Sequence, residues 1–152
     1  MSGRDTSRSE APLTGRCHYG NLEFALETSL RPEELSLRAD TCSFCRKHGA
    51  RTTSDPSGRV VITVHHPEQL LRYRFGLETA DFLVCARCGI YVAAVMSEGA
   101  SSYATVNVDT LDAVDRLTQP ATPVTYEGES AAERSARRRT RWTPAVIVEE
   151  RR

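Results

Sequence analysis

The chain has 152 residues, a mass of 16.9 kDa and no formal net charge, because 20 Lys and Arg balance 20 Asp and Glu. This length suits one domain with its own core, and the charge balance excludes a global field that attracts nucleic acid or anionic membranes. The sequence shows no apolar run of the about 20 residues that a membrane span needs, and its N-terminus lacks the apolar core of a secretory signal, so we expect a cytoplasmic protein.

The first half of the chain carries signals for strands. Residues 1–12 are polar and charged and predict a disordered N-terminal lead. Alternating apolar and polar residues predict half-buried strands over residues 22–27 and 71–75. Pro32 and its acidic neighbours predict a single helical turn or loop, and the β-branched run at residues 60–64 predicts a buried strand.

The second half continues this pattern as far as residue 108. Residues 82–84 lead into Cys85, and the apolar residues 90–96 follow Cys88, which predicts a turn between two strands. Residues 103–108 predict one more strand. The elements therefore indicate an all-β domain over residues 13–118.

The composition changes in residues 119–152, which we interpret as a C-terminal extension. Ser130 and Glu133 have the spacing of a capping box, which predicts a helix that ends near Arg141. Glu133 and Arg137 are spaced for an ion pair on this helix.

The helix is rich in arginine, and two interpretations are open. A basic helix is found in nucleic-acid-binding proteins, but this one has no interleaved aromatic residue before Trp142. Cations near a helix C-terminus are also favoured by the helix dipole. We therefore expect a solvated helix docked by Trp142, and we do not expect a nucleic-acid partner. The arginines are Arg134, Arg137, Arg138, Arg139 and Arg141.

The cysteines carry the strongest chemical signal. Four of the five form two C-x-x-C pairs, Cys42 with Cys45 and Cys85 with Cys88, while Cys17 lies in a turn bounded by glycines. A spacing of two residues lets one tight turn present both sulfurs to a tetrahedral ion. In a reducing compartment such pairs are more typical of zinc ligands than of disulfides. All five cysteines are therefore candidate zinc ligands.

Three blocks of sequence together resemble a known family. They are Gly15-Arg16-Cys17-His18-Tyr19-Gly20, Cys42-Ser43-Phe44-Cys45-Arg46-Lys47-His48-Gly49-Ala50 and Phe82-Leu83-Val84-Cys85-Ala86-Arg87-Cys88-Gly89. In order and spacing they resemble the signature blocks of the glutathione-dependent formaldehyde-activating enzyme and centromere protein V family. The resemblance covers roughly residues 13 to 110. It implies a β-tent fold, in which coiled, mainly antiparallel sheets are pinned by zinc, as in methionine sulfoxide reductase type B.

The resemblance implies a structural zinc site with Cys17, Cys85 and Cys88 as ligands. The family's fourth cysteine is replaced by Tyr19, and a phenol with a pKa of about 10 is a poor zinc ligand at neutral pH. His18 is chemically suitable, but a direct neighbour on an extended segment points to the opposite face. The fourth ligand is therefore His18, water or none.

A second, open zinc site is implied by the middle block. The family has three cysteines there, whereas this chain has Asp40 followed by Cys42 and Cys45. An aspartate oxygen can bind zinc, although the site is then poorer in thiolate. Spacing alone favours a rival arrangement with one zinc ion, in which the two C-x-x-C pairs share it and Cys17 is spare. The family pattern favours two zinc ions.

For function, the resemblance implies a carbon–sulfur lyase of the aldehyde-activating type. Its substrate would be an adduct of an aldehyde with glutathione or another small thiol, and Asp40, Cys42 and Cys45 would hold the catalytic zinc. The alternative is a non-catalytic zinc β-tent that binds a partner, with Asp40 and Tyr19 marking a degenerate site.

Several polar residues near the cysteines are weaker candidates. Arg46, Lys47 and His48 follow Cys45 directly and are candidates for contacts to the thiol substrate, although ordinary surface charge explains them equally well. His65 and His66 are interpreted as residues at a strand end, and Asp81 as a turn carboxylate.

Overall fold

The computed structural model describes residues 11–150, so most of the predicted N-terminal lead lies outside the described residues. Within this range the chain forms eleven strands, two α-helices and short 3₁₀ turns. The elements in chain order are β1 (Leu13–Arg16), β2 (Leu22–Glu27), β3 (Arg38–Asp40), α1 (Ser43–His48), β4 (Thr52–Thr53), β5 (Arg59–Val64), β6 (Leu70–Tyr73), β7 (Asp81–Cys85), β8 (Tyr91–Glu98), β9 (Ser101–Asn107), β10 (Thr122–Val124), α2 (Ala131–Arg141) and β11 (Thr143–Glu149).

All eleven strands belong to one mixed sheet that branches at β9. One path runs in the order β1-β2-β5-β11-β9-β4-β3-β10, and a meander of β6, β7 and β8 joins β9 from the side. Two pairs are parallel, β5 with β11 and β3 with β10, and the other pairs are antiparallel. The prediction of a mainly antiparallel all-β fold with a C-terminal helix is confirmed.

Local sequence signals located several elements correctly. Strand β2 coincides with the predicted segment because Leu22, Phe24 and Leu26 are buried on alternate positions. The helical turn is the 3₁₀ turn Pro32–Glu34. The strand predicted over residues 71–75 begins and ends earlier, at Leu70–Tyr73, and Gly76 then turns the chain with a φ of 61°.

The segment beyond residue 119 is built into the sheet. Strand β11 lies between β5 and β9, parallel to β5 with Ala145 opposite Val60, and antiparallel to β9 with Thr143 opposite Ala104. Strand β10 adds to the far edge beside β3. Helix α2 connects these two strands and is therefore held at the sheet by both of its ends.

Helix α2 begins as the capping box predicts but differs in its charge pairs. The Ser130 hydroxyl accepts from Glu133 N at 3.1 Å, and Ser130 N donates to Glu133 Oε1 at 2.8 Å. Because Glu133 is used as the cap, the predicted Glu133–Arg137 pair is wrong, and Arg137 binds Glu129 instead. The predicted docking by Trp142 is confirmed, since this side chain is buried, and the rest of the helix is exposed or half-buried apart from Arg138, which is only 6% exposed.

Two apolar clusters stabilise the fold. The larger one includes Leu22, Ile62, Leu83 and Val106 and joins the two branches of the sheet. The smaller one contains Val84, Tyr91, Ala94, Met96 and Trp142 and packs under the start of α1 and the end of α2. No helix within the described residues is long and apolar enough to cross a membrane.

A histidine ties the C-terminal end of β11 to the rest of the sheet. His65 Nδ1 is 2.8 Å from Glu150 Oε1, and its Nε2 contacts the Glu23 carboxylate. The hydrogen bond to Glu150, followed by the one to Glu23, raises the pKa of His65. A raised pKa means that the protonated ring stabilises the folded state.

We expect this stabilisation to depend on pH. It is fully present below the unfolded pKa of about 6.5 and is lost as the pH rises through the higher folded pKa. His65→Gln should lower the melting temperature by about 2–4 °C near pH 5.5, as expected for a partly exposed pair worth about 1 kcal/mol or less. Thermal unfolding across pH measures this effect. The matched control is His66→Gln, because the carboxylate that His66 contacts within the described residues is the exposed Glu68, at 3.7 Å. A loss for His65→Gln that grows with pH would contradict the prediction.

Candidate functional site

Three cysteines from two distant turns form the first cluster, which we call the Cys17 group. Cys17 follows β1, and Cys85 and Cys88 lie in the turn between β7 and β8, as the sequence predicts. The sulfur atoms of Cys17, Cys85 and Cys88 all lie within 4.8 Å of one another. The turn is closed by Gly89, whose N–H donates to Cys85 O at 2.7 Å and whose φ of 79° favours glycine.

Backbone N–H groups of the Cys17 turn are directed at sulfur. Gly20 N and Leu22 N lie 3.2 Å and 3.4 Å from Cys17 Sγ. Burial raises the pKa of Cys85. Burial also raises the pKa of Cys88, but hydrogen bonds from the backbone of Tyr19 and Ile90 outweigh it, so that this pKa is lowered overall.

The fourth position of the Cys17 group has no protein ligand of the usual types. No further Cys, His, Asp or Glu atom in residues 11–150 joins the three sulfurs within 4.8 Å. His18 is exposed and outside the group. Tyr19 is 49% exposed, with the Arg87 guanidinium 4.9 Å from its ring centroid.

A second cluster, which we call the Asp40 group, lies at the junction of β3 and α1. A carboxylate oxygen of Asp40 and the sulfurs of Cys42 and Cys45 lie within 4.8 Å of one another. Cys42 is not in a simple turn but is the N-cap of α1, where its sulfur accepts from Cys45 N at 3.4 Å. Asp40 Oδ1 accepts from Cys42 N at 2.9 Å and thereby orients the carboxylate.

Both groups fit a tetrahedral metal ion. With metal–sulfur bonds of about 2.3 Å, tetrahedral sulfur ligands are about 3.8 Å apart, which the observed clusters accommodate. All five cysteines are free thiols. Burial, then the Cys42 thiol and the Asp40 carboxylate, raise the pKa of Cys45. Because several anionic donors so close together repel each other, a cation is needed to hold them all ionised.

The rival arrangement with one shared ion is wrong for this fold. Cys42 and Cys45 belong to one group, and Cys85 and Cys88 to the other, with Cys17 as the third ligand rather than a spare thiol. The physical reason is that the two pairs lie on different branches of the sheet, one after β3 and one between β7 and β8.

The Asp40 group opens into a cleft with a volume of about 220 Å³. Residues of α2 and of the segment before it also line the cleft, including Tyr126, Arg134 and Arg137. Phe75 and Phe82 belong to an aromatic cluster on Phe44, with ring centroids 5.4 Å and 4.9 Å from that ring. The lining therefore combines aromatic rings, arginine side chains and the carboxylates of Asp40 and Glu127.

Tyr91 is a polar group on the floor of this cleft. The side chain is 1% exposed, and the aromatic ring of Phe44 packs edge-on against it at 5.0 Å. Burial, followed by the charges of Cys45, Cys42 and Asp40, raises the pKa of Tyr91. The phenol therefore holds its proton at physiological pH.

Two of the cleft arginines share one carboxylate as their ion-pair partner. Arg137 Nε and Nη2 donate to Glu129 at 2.9 Å and 3.1 Å, and Arg134 Nε donates to the same carboxylate at 3.3 Å. The Arg137 guanidinium also lies 3.4 Å from the ring centroid of Tyr126. These hydrogen bonds, Arg137 first, lower the pKa of Glu129.

The other two cleft arginines have only neutral partners in the part of the chain that the structure describes. Arg38 Nη2 donates to Ser54 Oγ at 2.8 Å and to Thr105 Oγ1 at 3.0 Å. Arg138 Nη1 donates to Thr79 Oγ1 at 2.8 Å, and its Nε has no partner. Burial lowers the pKa of Arg38, and burial followed by the charges of Arg137 and Arg134 lowers that of Arg138 to about 10.

The other sequence candidates lie outside the cleft. Arg46, Lys47 and His48 form the exposed end of α1 and do not line the cavity. His65 joins Glu23 and Glu150 at a strand end. Asp81 binds Arg72 and Arg74.

The sequence analysis missed the residues that face the Asp40 group. Arg134, Arg137 and Arg138 have the spacing of one helix face, which was the available signal. For Arg38 and Tyr91 there was no local signal, because the sheet brings them to the cleft from β3 and β8.

The chain is similar to a protein of known structure. No protein-family model and no curated protein matches this chain. A crystal structure of a Rhodobacter sphaeroides protein from Northeast Structural Genomics is similar, with 32% sequence identity, a TM-score of 0.53 and coverage of 75% of this chain and 100% of the other. It is described without an activity.

We expect both groups to hold a metal ion. Elemental analysis of the purified protein should find about two transition-metal ions per chain. Asp40→Asn keeps an acceptor for Cys42 N but weakens the metal ligand, so it should lose one ion with little change in melting temperature. Cys85→Ser should lose the other ion and melt at a clearly lower temperature, because Cys85 is fully buried in the larger core.

Asp109→Asn is the matched control for the carboxylate change. Asp109 is a partly exposed partner of Arg51 and lies in neither group. This variant should retain both ions. A wild-type protein without transition metal, or an Asp40→Asn variant with unchanged metal content, would contradict the assignment.

Proposed function

We propose that this chain, which belongs to the same family as the Rhodobacter sphaeroides protein, is a zinc-dependent carbon–sulfur lyase of the aldehyde-activating type. Its substrates would be adducts of an aldehyde with glutathione or another small thiol. The observation that supports this proposal most strongly is that the Asp40 group opens into a cleft. The resemblance to the formaldehyde-activating and centromere protein V family points to the same chemistry.

Zinc is the metal that best suits both groups. Thiolate ligands select soft or borderline ions, and tetrahedral sites rich in cysteine are typical of zinc. A catalytic zinc site has three protein ligands and an open position, which matches Asp40, Cys42 and Cys45 at the cleft wall. When bound there, zinc supplies positive charge that favours a thiolate and polarises an adduct oxygen.

The reaction moves one proton and two electron pairs. In the direction of breakdown, the adduct hydroxyl loses its proton, and the electron pair left on oxygen forms the carbonyl bond. The carbon–sulfur bond breaks with its electron pair on sulfur, and the resulting thiolate takes up the proton, which gives free aldehyde and free thiol. Formation of the adduct is the reverse of these steps.

The residues of the cleft contribute orientation and the exclusion of water. Asp40 is fixed by its hydrogen bond with Cys42 N, and Cys45 is buried, so both ligands are held before a substrate arrives. The Tyr91 phenol is a hydrogen-bond donor to the adduct oxygen in this proposal. Phe75, Phe82 and Trp142 provide an apolar lining that strengthens these polar contacts.

A second candidate is a non-catalytic zinc module that binds a ligand in the same cleft. Asp40 supports this candidate, because it belongs to strand β3 and bonds Cys42 N, which are structural roles that do not require catalysis. A measured metal at the Asp40 group without any acceleration of the reaction would favour the module.

The lyase is tested with glutathione and formaldehyde. Nuclear magnetic resonance exchange measurements should show that the protein accelerates adduct formation and breakdown above the uncatalysed rate. Asp40→Asn and Cys42→Ser should reduce this rate to background, and Tyr91→Phe should lower it by about a hundredfold or more through loss of the donor.

The controls separate loss of chemistry from loss of fold. Tyr91→Phe keeps the shape of the buried ring, so its melting temperature and metal content should stay close to those of the wild type. Asp109→Asn should keep full activity. A metal-loaded wild-type protein that gives only the uncatalysed rate, with glutathione and with smaller thiols, would overturn the lyase proposal.

A further inference from the structure

We propose that Arg38 and Arg138 form a subsite for an oxyanion, and that the thiol recognised in this cleft is therefore a small one that carries a carboxylate or a phosphate group. That the thiol group of this ligand binds at the Asp40 group rests on the proposed function. That its anionic group binds at Arg38 and Arg138 rests on the two arginines alone and can be tested without any reaction.

Arg138 is the first observation that carries this proposal. Its side chain is 6% exposed, its Nε has no hydrogen-bond partner, and it lines the cleft. Its guanidinium lies 4.7 Å from the ring centroid of Trp142 and is fixed on the other side by Thr79. The carboxylates of Glu129 and Asp40 act on its charge from a distance, but neither forms an ion pair with it. A buried guanidinium without an ion-pair partner is costly to the fold, and a ligand anion would reduce that cost.

Arg38 is the second observation, from a different element. It reaches the cleft from β3 and is held by the hydroxyl groups of Ser54 and Thr105. Neutral hydroxyl groups orient a guanidinium without neutralising it. Two oriented cations that share one cavity present the planar set of donors that binds carboxylate or phosphate in a bidentate manner.

The neighbouring arginines show what a structural pairing looks like in this chain. Arg134 and Arg137 share the Glu129 carboxylate, so each of them has an anionic partner within the protein. Within residues 11–150 neither Arg38 nor Arg138 forms an ion pair with a carboxylate. This contrast with Arg134 and Arg137 indicates that Arg38 and Arg138 are available to bind an anionic ligand.

The size of the cavity limits the ligand. Pockets for drug-sized molecules are about 300–1,000 Å³, whereas this cleft is about 220 Å³. The cysteine sulfurs lie at one wall and the two arginines belong to the same lining. A short thiol with an anionic end can meet both, while a neutral or cationic thiol of the same length leaves the arginines without a counter-charge.

The oxyanion subsite is tested first with probes that contain no sulfur. Propionate and inorganic phosphate are titrated into the purified, metal-containing protein by calorimetry. We expect saturable binding of at least one of them, weakened by about tenfold or more in Arg138→Met and in Arg38→Met, because each loses a charged hydrogen-bond donor. The tighter of the two probes identifies the oxyanion as carboxylate or phosphate.

Arg139→Gln is the matched control. Arg139 is the next residue on α2, is exposed and binds Glu98 outside the cleft. Its probe affinities should stay within about twofold of wild type, since only charges in the cleft are desolvated. Equal weakening in Arg139→Gln and Arg138→Met would reduce the effect to general surface charge and overturn the subsite.

The melting temperature distinguishes a ligand-binding role of Arg138 from a structural one, because loss of a structural residue would lower it. Replacing an uncompensated buried charge by methionine should leave the melting temperature unchanged or raise it. Arg138→Lys should retain part of the probe affinity. If Arg138→Met and Arg138→Lys both melt well below the wild type while wild-type binding of propionate and phosphate is absent, Arg138 is a structural residue and the proposal fails.

Turnover of three thiols of similar length then tests whether the oxyanion subsite contributes to the proposed reaction. They are 3-mercaptopropionate, 3-mercapto-1-propanol and 3-mercaptopropylamine, each assayed with formaldehyde. We expect the anionic thiol to react most efficiently and this preference to disappear in Arg138→Met. Anion binding that depends on Arg138, without any turnover, would refute the lyase and retain the subsite. Turnover that is equal for the three thiols and unchanged in Arg138→Met would retain the lyase and refute the subsite.

Discussion

The structure depends on the gathering of thiols that are far apart in the chain. Cys17 and Cys85 are buried in the larger core, and together with Cys88 they join the turn after β1 to the turn between β7 and β8. Donors at such short separations repel each other when they are ionised, so a cation between them is needed to hold all three as thiolates. The first two strands are therefore tied to the other branch of the sheet at this point.

A second constraint comes from the C-terminal strand. Because β11 lies between β5 and β9, the chain must cross the sheet after β10, and α2 makes this crossing beside the Asp40 group. The arginine wall of the cleft is thus a consequence of sheet topology. A domain that ended near residue 118 would keep both cysteine groups but would lose that wall.

Local signals predicted what depends on a few neighbouring residues, such as the alternation of β2, the capping box at Ser130 and the strand–turn–strand that holds Cys85 and Cys88. The resemblance in the cysteine blocks indicated the two groups. Spacing alone left the wrong single-ion arrangement open. The position of β11 has no local signature, because its pairing with β5 joins segments that are far apart in the chain. The arginine-rich composition of α2 indicates a helix exposed to solvent, whereas the helical spacing of Arg134, Arg137 and Arg138 indicates that they share one face. Composition alone therefore does not predict the burial of Arg138.

The distribution of positive charge in the two helices shows why proximity in sequence was a poor guide to the cleft. Arg46, Lys47 and His48 form the last turn of α1, which Gly49 closes in the left-handed conformation, and cations there complement the helix dipole in solvent. The α2 arginines also lie near a helix C-terminus, but the packing of Trp142 turns one face of that helix inward. The preference of cations for a helix C-terminus therefore accounts for the basic residues of both helices. The packing of each helix decides which of these residues face the cleft. A guanidinium placed there keeps its charge at neutral pH, even with the pKa of Arg138 lowered to about 10. Arg138 thus contributes a positive charge to the cleft lining at physiological pH.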